Sequence, residues 1–464
     1  METYRDLSTL AARWKSAVVW DGAAPLRVTH EAALRGPAMD ELAFNAVFAP
    51  SEEVRGGARA LIAAAATATG AKLASIQGLY AARGRGEIHG FTVPAVNLRC
   101  LTYDIARAIF RVAKRMDCAA MIFEIARSEM GYTFQRPAEY SASVLAAALR
   151  EGWRGPVFIQ GDHFQVAAKK YAKPEARGPE LQAIRDLIAE AIAAGFWNID
   201  IDTSTLVDLS KPTIDEQQRA NYERCAEYTK LIREREPRGV TVSVGGEIGE
   251  VGTKNSTVEE FTAYMQGYRR ALGDGVEGIS KISVQTGTSH GGVPLPGGGV
   301  AQVKLDFGVL EAISKNAREK WGMAGAVQHG ASTLPAELFH HFPKAGAAEI
   351  HLATEFQNMV IDHPAFPASL REEMAAWTRE HCKDEQKEGQ TDSQFFYKTR
   401  KKAWGPFKQQ VWTLADKGVI LEDLEKRFEF LWQQLAVGGT RATVEEHVRP
   451  PDYVPAVPAG LKIG

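Results

Sequence analysis

Asp162, His163, Glu247, His290 and His329 are the residues of this chain whose types and settings are best suited to chemistry. They stand in short glycine-bearing segments: Gly161-Asp162-His163, Gly246-Glu247-Ile248-Gly249, Gly287-Thr288-Ser289-His290-Gly291-Gly292 and Gln328-His329-Gly330-Ala331-Ser332. Three imidazoles leave a fourth tetrahedral position open for water or substrate, the arrangement of a catalytic rather than a closed zinc centre. A glycine within two residues of each histidine lets backbone or ligand approach closely. Taken singly, a histidine at a strand end is more often a hydrogen-bonded structural residue, so the joint pattern carries the inference. Asp162 directly adjoins one of these histidines, which makes it either a proton-transfer carboxylate or a carboxylate that orients His163.

Such residues need a scaffold that brings distant segments to one place. Short Val/Ile-rich runs alternate along the chain with longer Ala/Leu/Glu/Lys/Arg-rich segments of helical period, the signature of βα units and a parallel sheet. Eight runs are readable, at 90–98, 119–126, 155–163, 196–204, 240–249, 279–287, 325–332 and 347–355. That is the strand count of an α/β fold of the (β/α)8 TIM-barrel type. Strands buried on both faces should be plainly apolar, yet six of these end in charged or imidazole groups, at the end where barrels carry their active sites. Residues 1–88 are expected to form an alanine-rich helical extension, 89–360 the barrel, and 361–464 a helical subdomain ending in a Pro-rich extended tail.

Composition excludes several classes. The 464 residues are 45% hydrophobic and 24% charged, enough to bury a large core, and the net charge of -2 gives no global attraction for nucleic acid. The four cysteines show no CxxC spacing, which fits reduced thiols in a cytoplasm. The charged N-terminus lacks the apolar stretch of a secretory signal, and no run is long enough to span a bilayer. The expectation is a soluble cytoplasmic protein with neither a membrane nor a nucleic-acid partner.

The motifs, taken in order over roughly residues 75–358, resemble the class II, metal-dependent ketose-bisphosphate aldolases. GFTVPAVN is similar to the first-strand motif ending in Asn97, QGDHF to the Asp-His pair, and NIDIDTS to the fourth-strand motif with Asp202 and Ser204. GGEIGEVG resembles the fifth-strand glutamate turn, GTSHGG the second histidine motif and QHGAS the third. The resemblance implies reversible retro-aldol cleavage of a ketose phosphate or bisphosphate between C3 and C4 through a metal-stabilised enediolate. It assigns His163, His290 and His329 to Zn²⁺, or to Co²⁺ or Mn²⁺, with Glu247 as an alternative ligand. It gives Asp162 the proton of the C4 hydroxyl, Asn97 a contact to the ketose, and Gly291, Ser332 and Thr354 contacts to phosphate. A homo-oligomer is expected on the same ground. The chemistry is coherent: a carbanion beside a ketone needs an electrophile, and a divalent metal supplies one without a Schiff-base lysine.

The departures matter too. On the eighth strand the family holds Asn and Asp where this chain has His351 and Ala353, and the lysine expected after the second histidine motif is missing from HGGVPLPGGG. Cationic charge for an anionic substrate could come instead from Lys398, Arg400, Lys401 or Lys402. The Gly297-Gly298-Gly299 run lacks the helix start and Lys-Ser/Thr pair of a phosphate loop. His351 is read as a substrate contact, a further proton-transfer group or a hydrogen-bonded core residue, and Arg127 and Glu129 as pocket-shaping residues. Two other functions stay open: a C4 epimerase of an unphosphorylated ketose or ketonic acid using the same bond cleavage, and a non-catalytic aldolase helper subunit.

Overall fold

The computed structural model describes residues 1–22, 25–249, 254–287, 305–331, 334–454 and 456–464. Eight parallel strands close into a barrel: β1 (Val93–Asn97), β2 (Ile122–Ala126), β3 (Gly155–Gln165), β4 (Asn198–Asp202), β5 (Ser243–Glu247), β6 (Lys281–Val284), β7 (Ala326–Gln328) and β8 (Glu349–Leu352). Each pairs with its successor, and β8 returns to β1 through Glu349↔Val93 to His351↔Ala95. Each begins within one of the eight apolar runs expected from the sequence, and β3 continues two residues past its run, to Gln165. Helices cover the outside, and capping boxes at Thr213/Glu216 and Thr257/Glu260 start the two that follow β4 and β5.

A ninth strand, Ala71–Ala74, was not expected. It pairs in parallel with the first residues of β3, from Ala71↔Gly155 to Ala74↔Phe158, so the segment before residue 88 is not helical throughout. Gly70, at φ +90°, ends the helix Glu52–Thr69 in a left-handed cap that a side chain would resist, and the chain then turns into the sheet. That helix packs on the barrel helix Pro137–Arg150. The C-terminal helix Lys417–Gln434 lies along Thr102–Arg115, where Arg111 and Arg115 both reach Glu425. The Pro-rich end runs back to the N-terminal layer, where Trp20 and Ile463 exchange backbone hydrogen bonds of 2.7 and 2.6 Å.

The barrel interior is unusually polar. Inward positions that branched apolar residues ordinarily fill hold Glu124, Gln160, Asp200, Lys281 and Glu349, all buried. Lys281 Nζ donates to Gln160 Oε1 at 2.7 Å, Asp200 Oδ2 at 3.0 Å and Glu349 Oε1 at 2.5 Å, while the Tyr80 hydroxyl donates to the other Glu349 oxygen. Burying such charges is tolerable only because each finds a partner. At the opposite end, the buried Arg83 guanidinium donates to the carbonyls of Phe91 and Ala347.

Candidate active site

The C-terminal strand ends stand above this ionic floor. β3 is the longest barrel strand, and between Gly161 and Phe164 its pairing with β4 shifts by one residue. The bulge re-aims the chain at the point where it carries Asp162 and His163. His163 has φ +42°, a left-handed conformation that costs a side-chain-bearing residue roughly 1–2 kcal/mol. Gly161 makes the turn possible, because a Cβ there would lie 2.4 Å from the Phe164 ring.

His163 Nδ1 faces Asp202 Oδ2 at 2.9 Å and Glu247 Oε2 at 3.2 Å, and its Nε2 lies 3.7 Å from Asp162 Oδ1. Asp202 is itself fixed by Ser204, whose hydroxyl donates at 2.7 Å and whose backbone N–H donates at 3.2 Å, and by Gln165 Nε2. Facing a carboxylate, Nδ1 carries the ring proton of the neutral form, so Nε2 is the nitrogen that would bind a metal. The ring centroid of His329 lies 4.2 Å away at 77°, and its Nε2 is 3.4 Å from Ser283 Oγ. Ligand atoms of Asp162, His163 and His329 all fall within 4.8 Å of one another, and so do those of His163, Asp202 and Glu247. Imidazole nitrogens beside carboxylate oxygens, with one imidazole oriented from behind by an acid, fit a divalent metal. The structure thus brings Asp162, His163 and His329 together and sets Glu247 at the Nδ1 edge of His163, away from the Nε2 that faces Asp162. His290, Gly291, Ser332 and the triple glycine lie outside the described residues.

The other expected contacts divide. Thr354 opens the helix Thr354–Ile361 and accepts from Arg99 Nη1 at 3.3 Å. Asn97 is buried with its amide donating to Glu129, which also accepts from Arg99 Nε at 2.7 Å and from the Ala126 N–H at 2.9 Å. A cavity of about 550 Å³ runs from Asp162, His163, His329 and His351 to a wall containing Arg99, Arg127, Glu129, Thr354 and Lys401. Of the cationic stretch expected to supply charge, Lys401 reaches this cavity; Arg400 pairs with Asp362 at 2.7 Å and Lys402 with Glu385. Arg127 is bound by Glu180 and the Gln165 carbonyl.

His351 is enclosed by acids. Its Nδ1 lies 3.1 Å from Glu124 Oε2 and 3.2 Å from Asp162 Oδ1; its Nε2 lies 2.6 Å from Glu349 Oε1 and 3.6 Å from Asp200 Oδ2. Burial opposes a charged ring, but Glu124 and Asp162 outweigh it and raise His351 well above the ordinary histidine range. The same balance, with Asp162, Glu247 and Asp202, raises His163. Burial holds the Glu124 carboxyl up despite His351, whereas Lys281 pulls Glu349 down against its burial. Burial and the neighbouring Arg99 lower Lys401. Glu124, Gln160, Asp200, Lys281, Glu349 and Arg99 are not among the site residues expected from the sequence. A signal for most of them is present: NIDID, KISV and EIHL place polar residues at alternate, same-face positions, and IFEIA holds one glutamate in an otherwise apolar strand.

Residues 84–404 match the family model described as fructose-bisphosphate aldolase class-II. No curated protein matches the chain significantly. Among solved structures, a protein from Sinorhizobium meliloti described as a probable tagatose 6 phosphate kinase superposes with a TM-score of 0.52 at 17% identity, covering 79% of this chain and 95% of that one. Fructose-bisphosphate aldolase from Campylobacter jejuni gives 0.45 at 19% identity, covering 77% and 93%. Fructuronate-tagaturonate epimerase UxaE from Cohnella laeviribosi gives 0.45 at 13% identity, covering 77% and 82%. The first of these supports the barrel fold. Among the described residues no helix is long and apolar enough to cross a membrane.

Proposed function

Since the chain belongs to the class II fructose-bisphosphate aldolase family, we propose that it is a divalent-metal-dependent lyase that splits a ketose phosphate or bisphosphate between C3 and C4. The observation that carries this reading is the meeting of Asp162, His163 and His329 within 4.8 Å of one another at the cavity. His163 and His329, with His290 as third ligand and Glu247 as the alternative, would hold Zn²⁺, or Co²⁺ or Mn²⁺. Bound there, the metal supplies Lewis acidity that draws electron density from the ketone oxygen. Asp162 takes the proton of the C4 hydroxyl as the C3–C4 bond breaks; C4 leaves as an aldehyde and the bonding pair stays on the ketone fragment. Asn97 helps hold the ketose through the Glu129 cluster. Arg99, Thr354 and Lys401, with Gly291 and Ser332, bind the anionic end by charge-assisted hydrogen bonds. We place the enzyme in the cytoplasm as a homo-oligomer acting on small sugars.

A second reading is a C4 epimerase of a ketohexose or ketohexuronate, which performs the same cleavage, turns the aldehyde and rejoins it. The observation favouring it is the end of β8, where His351 and, just after the strand, Ala353 stand in place of the family's Asn and Asp. A non-catalytic helper role is opposed by the paired His163 and His329. The test is incubation of zinc-loaded protein with ketose bisphosphates, ketose monophosphates and free hexuronates. Triose-phosphate release supports the lyase, interconversion at C4 without release supports the epimerase, and inertness toward all of them refutes both.

A further inference from the structure

We infer that His351 is a positioning residue for Asp162, held by Glu124 and Glu349, so that the buried charges beneath the cavity form one support for the proton-transfer carboxylate. The inference rests on the reading of Asp162 as the group that takes the C4 hydroxyl proton.

Both ring nitrogens of His351 face carboxylates, Nε2 in a hydrogen bond and Nδ1 at ion-pair distance. Nδ1 lies 3.2 Å from Asp162 Oδ1 and 3.1 Å from Glu124 Oε2, and Nε2 lies 2.6 Å from Glu349 Oε1. A ring fixed at both ends cannot turn about its Cβ–Cγ bond without breaking a contact. Its face is also covered, with the His329 centroid 4.1 Å away at 40°. The two supporting glutamates are fixed in turn. Glu349 accepts from Lys281 Nζ, Gln160 Nε2 at 2.8 Å and the Tyr80 hydroxyl; Glu124 accepts from the same Gln160 amide at 3.0 Å. Glu124, Gln160, Asp162, Lys281, Glu349 and His351 all belong to barrel strands, which hold their side chains more rigidly than loops would.

The consequence falls on Asp162. With Oδ1 at ion-pair distance from the His351 ring, 3.2 Å, the carboxylate is drawn in one direction at the cavity that Asp162 lines. Glu124 borders the cavity with relative exposure of 0% and meets Nδ1 of the ring at 3.1 Å, through which it acts on Asp162. This gives the polar barrel floor a task that an apolar filling could not perform.

The test uses full-length, metal-loaded protein carrying His351→Asn, Glu124→Gln or both. A misplaced carboxylate costs on the order of 100-fold; His351→Asn is therefore expected to lower kcat by about that factor, with KM and bound metal within about twofold of wild type. Glu124→Gln is expected to lower kcat about tenfold, and the double variant to match His351→Asn within about threefold, because groups acting through one another do not add. Losses that multiply to about 1,000-fold, or that fall on KM or on metal content, overturn the inference. If His351→Asn does not fold, His351→Gln is measured in its place and judged by the same criteria. Should the wild type cleave no ketose phosphate, the aldolase reading fails separately, and crystal structures of the same metal-loaded proteins decide the positioning claim. An Asp162 side chain whose χ1 departs by more than ~30° from the wild-type well in the His351 variant, carrying the carboxylate with it, supports it. One that keeps the wild-type orientation overturns it.

Discussion

Asp202→Asn tests how the site prepares His163 for metal. The Asp202 carboxylate accepts at both oxygens: Oδ2 from His163 Nδ1 at 2.9 Å and from Gln165, Oδ1 from the Ser204 backbone N–H at 3.2 Å and hydroxyl at 2.7 Å. An asparagine keeps the shape and loses one acceptor. Turned one way, its NH2 faces the His163 and Gln165 donors; turned the other, it faces the Ser204 N–H. In the first orientation His163 is pushed toward the tautomer protonated at Nε2, which removes the lone pair that would bind metal. Loss of such an orienting partner typically weakens metal binding 10–100-fold, or roughly 1.4–2.8 kcal/mol. Glu247 Oε2, 3.2 Å from the same Nδ1, remains as a substitute acceptor. The expected loss is therefore at the lower end, about tenfold in zinc affinity. Competition against a chromophoric chelator measures it, with circular dichroism confirming that the variant is folded. A folded variant that binds zinc within about twofold of wild type would refute the orienting role of Asp202.

Three further outcomes are expected. Lys281→Met leaves Asp200 and Glu349 buried without their cation and should destabilise the folded chain by about 3–5 kcal/mol in denaturant titration; a loss under about 1 kcal/mol would mean that the network relaxes freely. Lys401→Met should raise KM for a phosphorylated ketose about tenfold, the value of one charge-assisted hydrogen bond, with little change in kcat, and an unchanged KM would take Lys401 out of the anion-binding wall. Burial alone would raise Glu180, but the Arg127 pair and the Ala167 N–H bond hold it below the ordinary 4.5. A carboxylate lowered in the folded state stabilises above its unfolded value and loses that contribution as pH falls through the folded one. Hydrogen exchange at the Ala167 amide should accordingly quicken as pH drops below 4.5 relative to a Glu180→Gln control, and identical profiles would contradict this.

Strands and rim residues were legible in the sequence for different reasons. Parallel strands buried on both faces must be apolar over their length, so runs such as GPVFIQ stood out from the surrounding helices. The strand Ala71–Ala74 did not, because AKLA is made of good helix formers and only Gly70 marks the break. The same apolar expectation concealed the barrel floor. NIDID was read through its last acid, whereas Asp200, two residues earlier on the same face, belongs to the network with Lys281 and Glu349. His351 was visible as an anomaly on β8, but its partners Glu124 and Asp162 lie on β2 and β3, and no local spacing reports contacts between strands so far apart in sequence. Arg99 and Lys401, separated by most of the barrel, meet in one cavity wall for the same topological reason.

The central claim is that His163 and His329 share one divalent cation. Anomalous diffraction at the zinc edge from crystals of zinc-loaded protein examines it directly. The account predicts a single strong peak within about 2.0–2.1 Å of a ring nitrogen of each histidine. A peak that touches only one of the two rings, or none at the cavity, would contradict it.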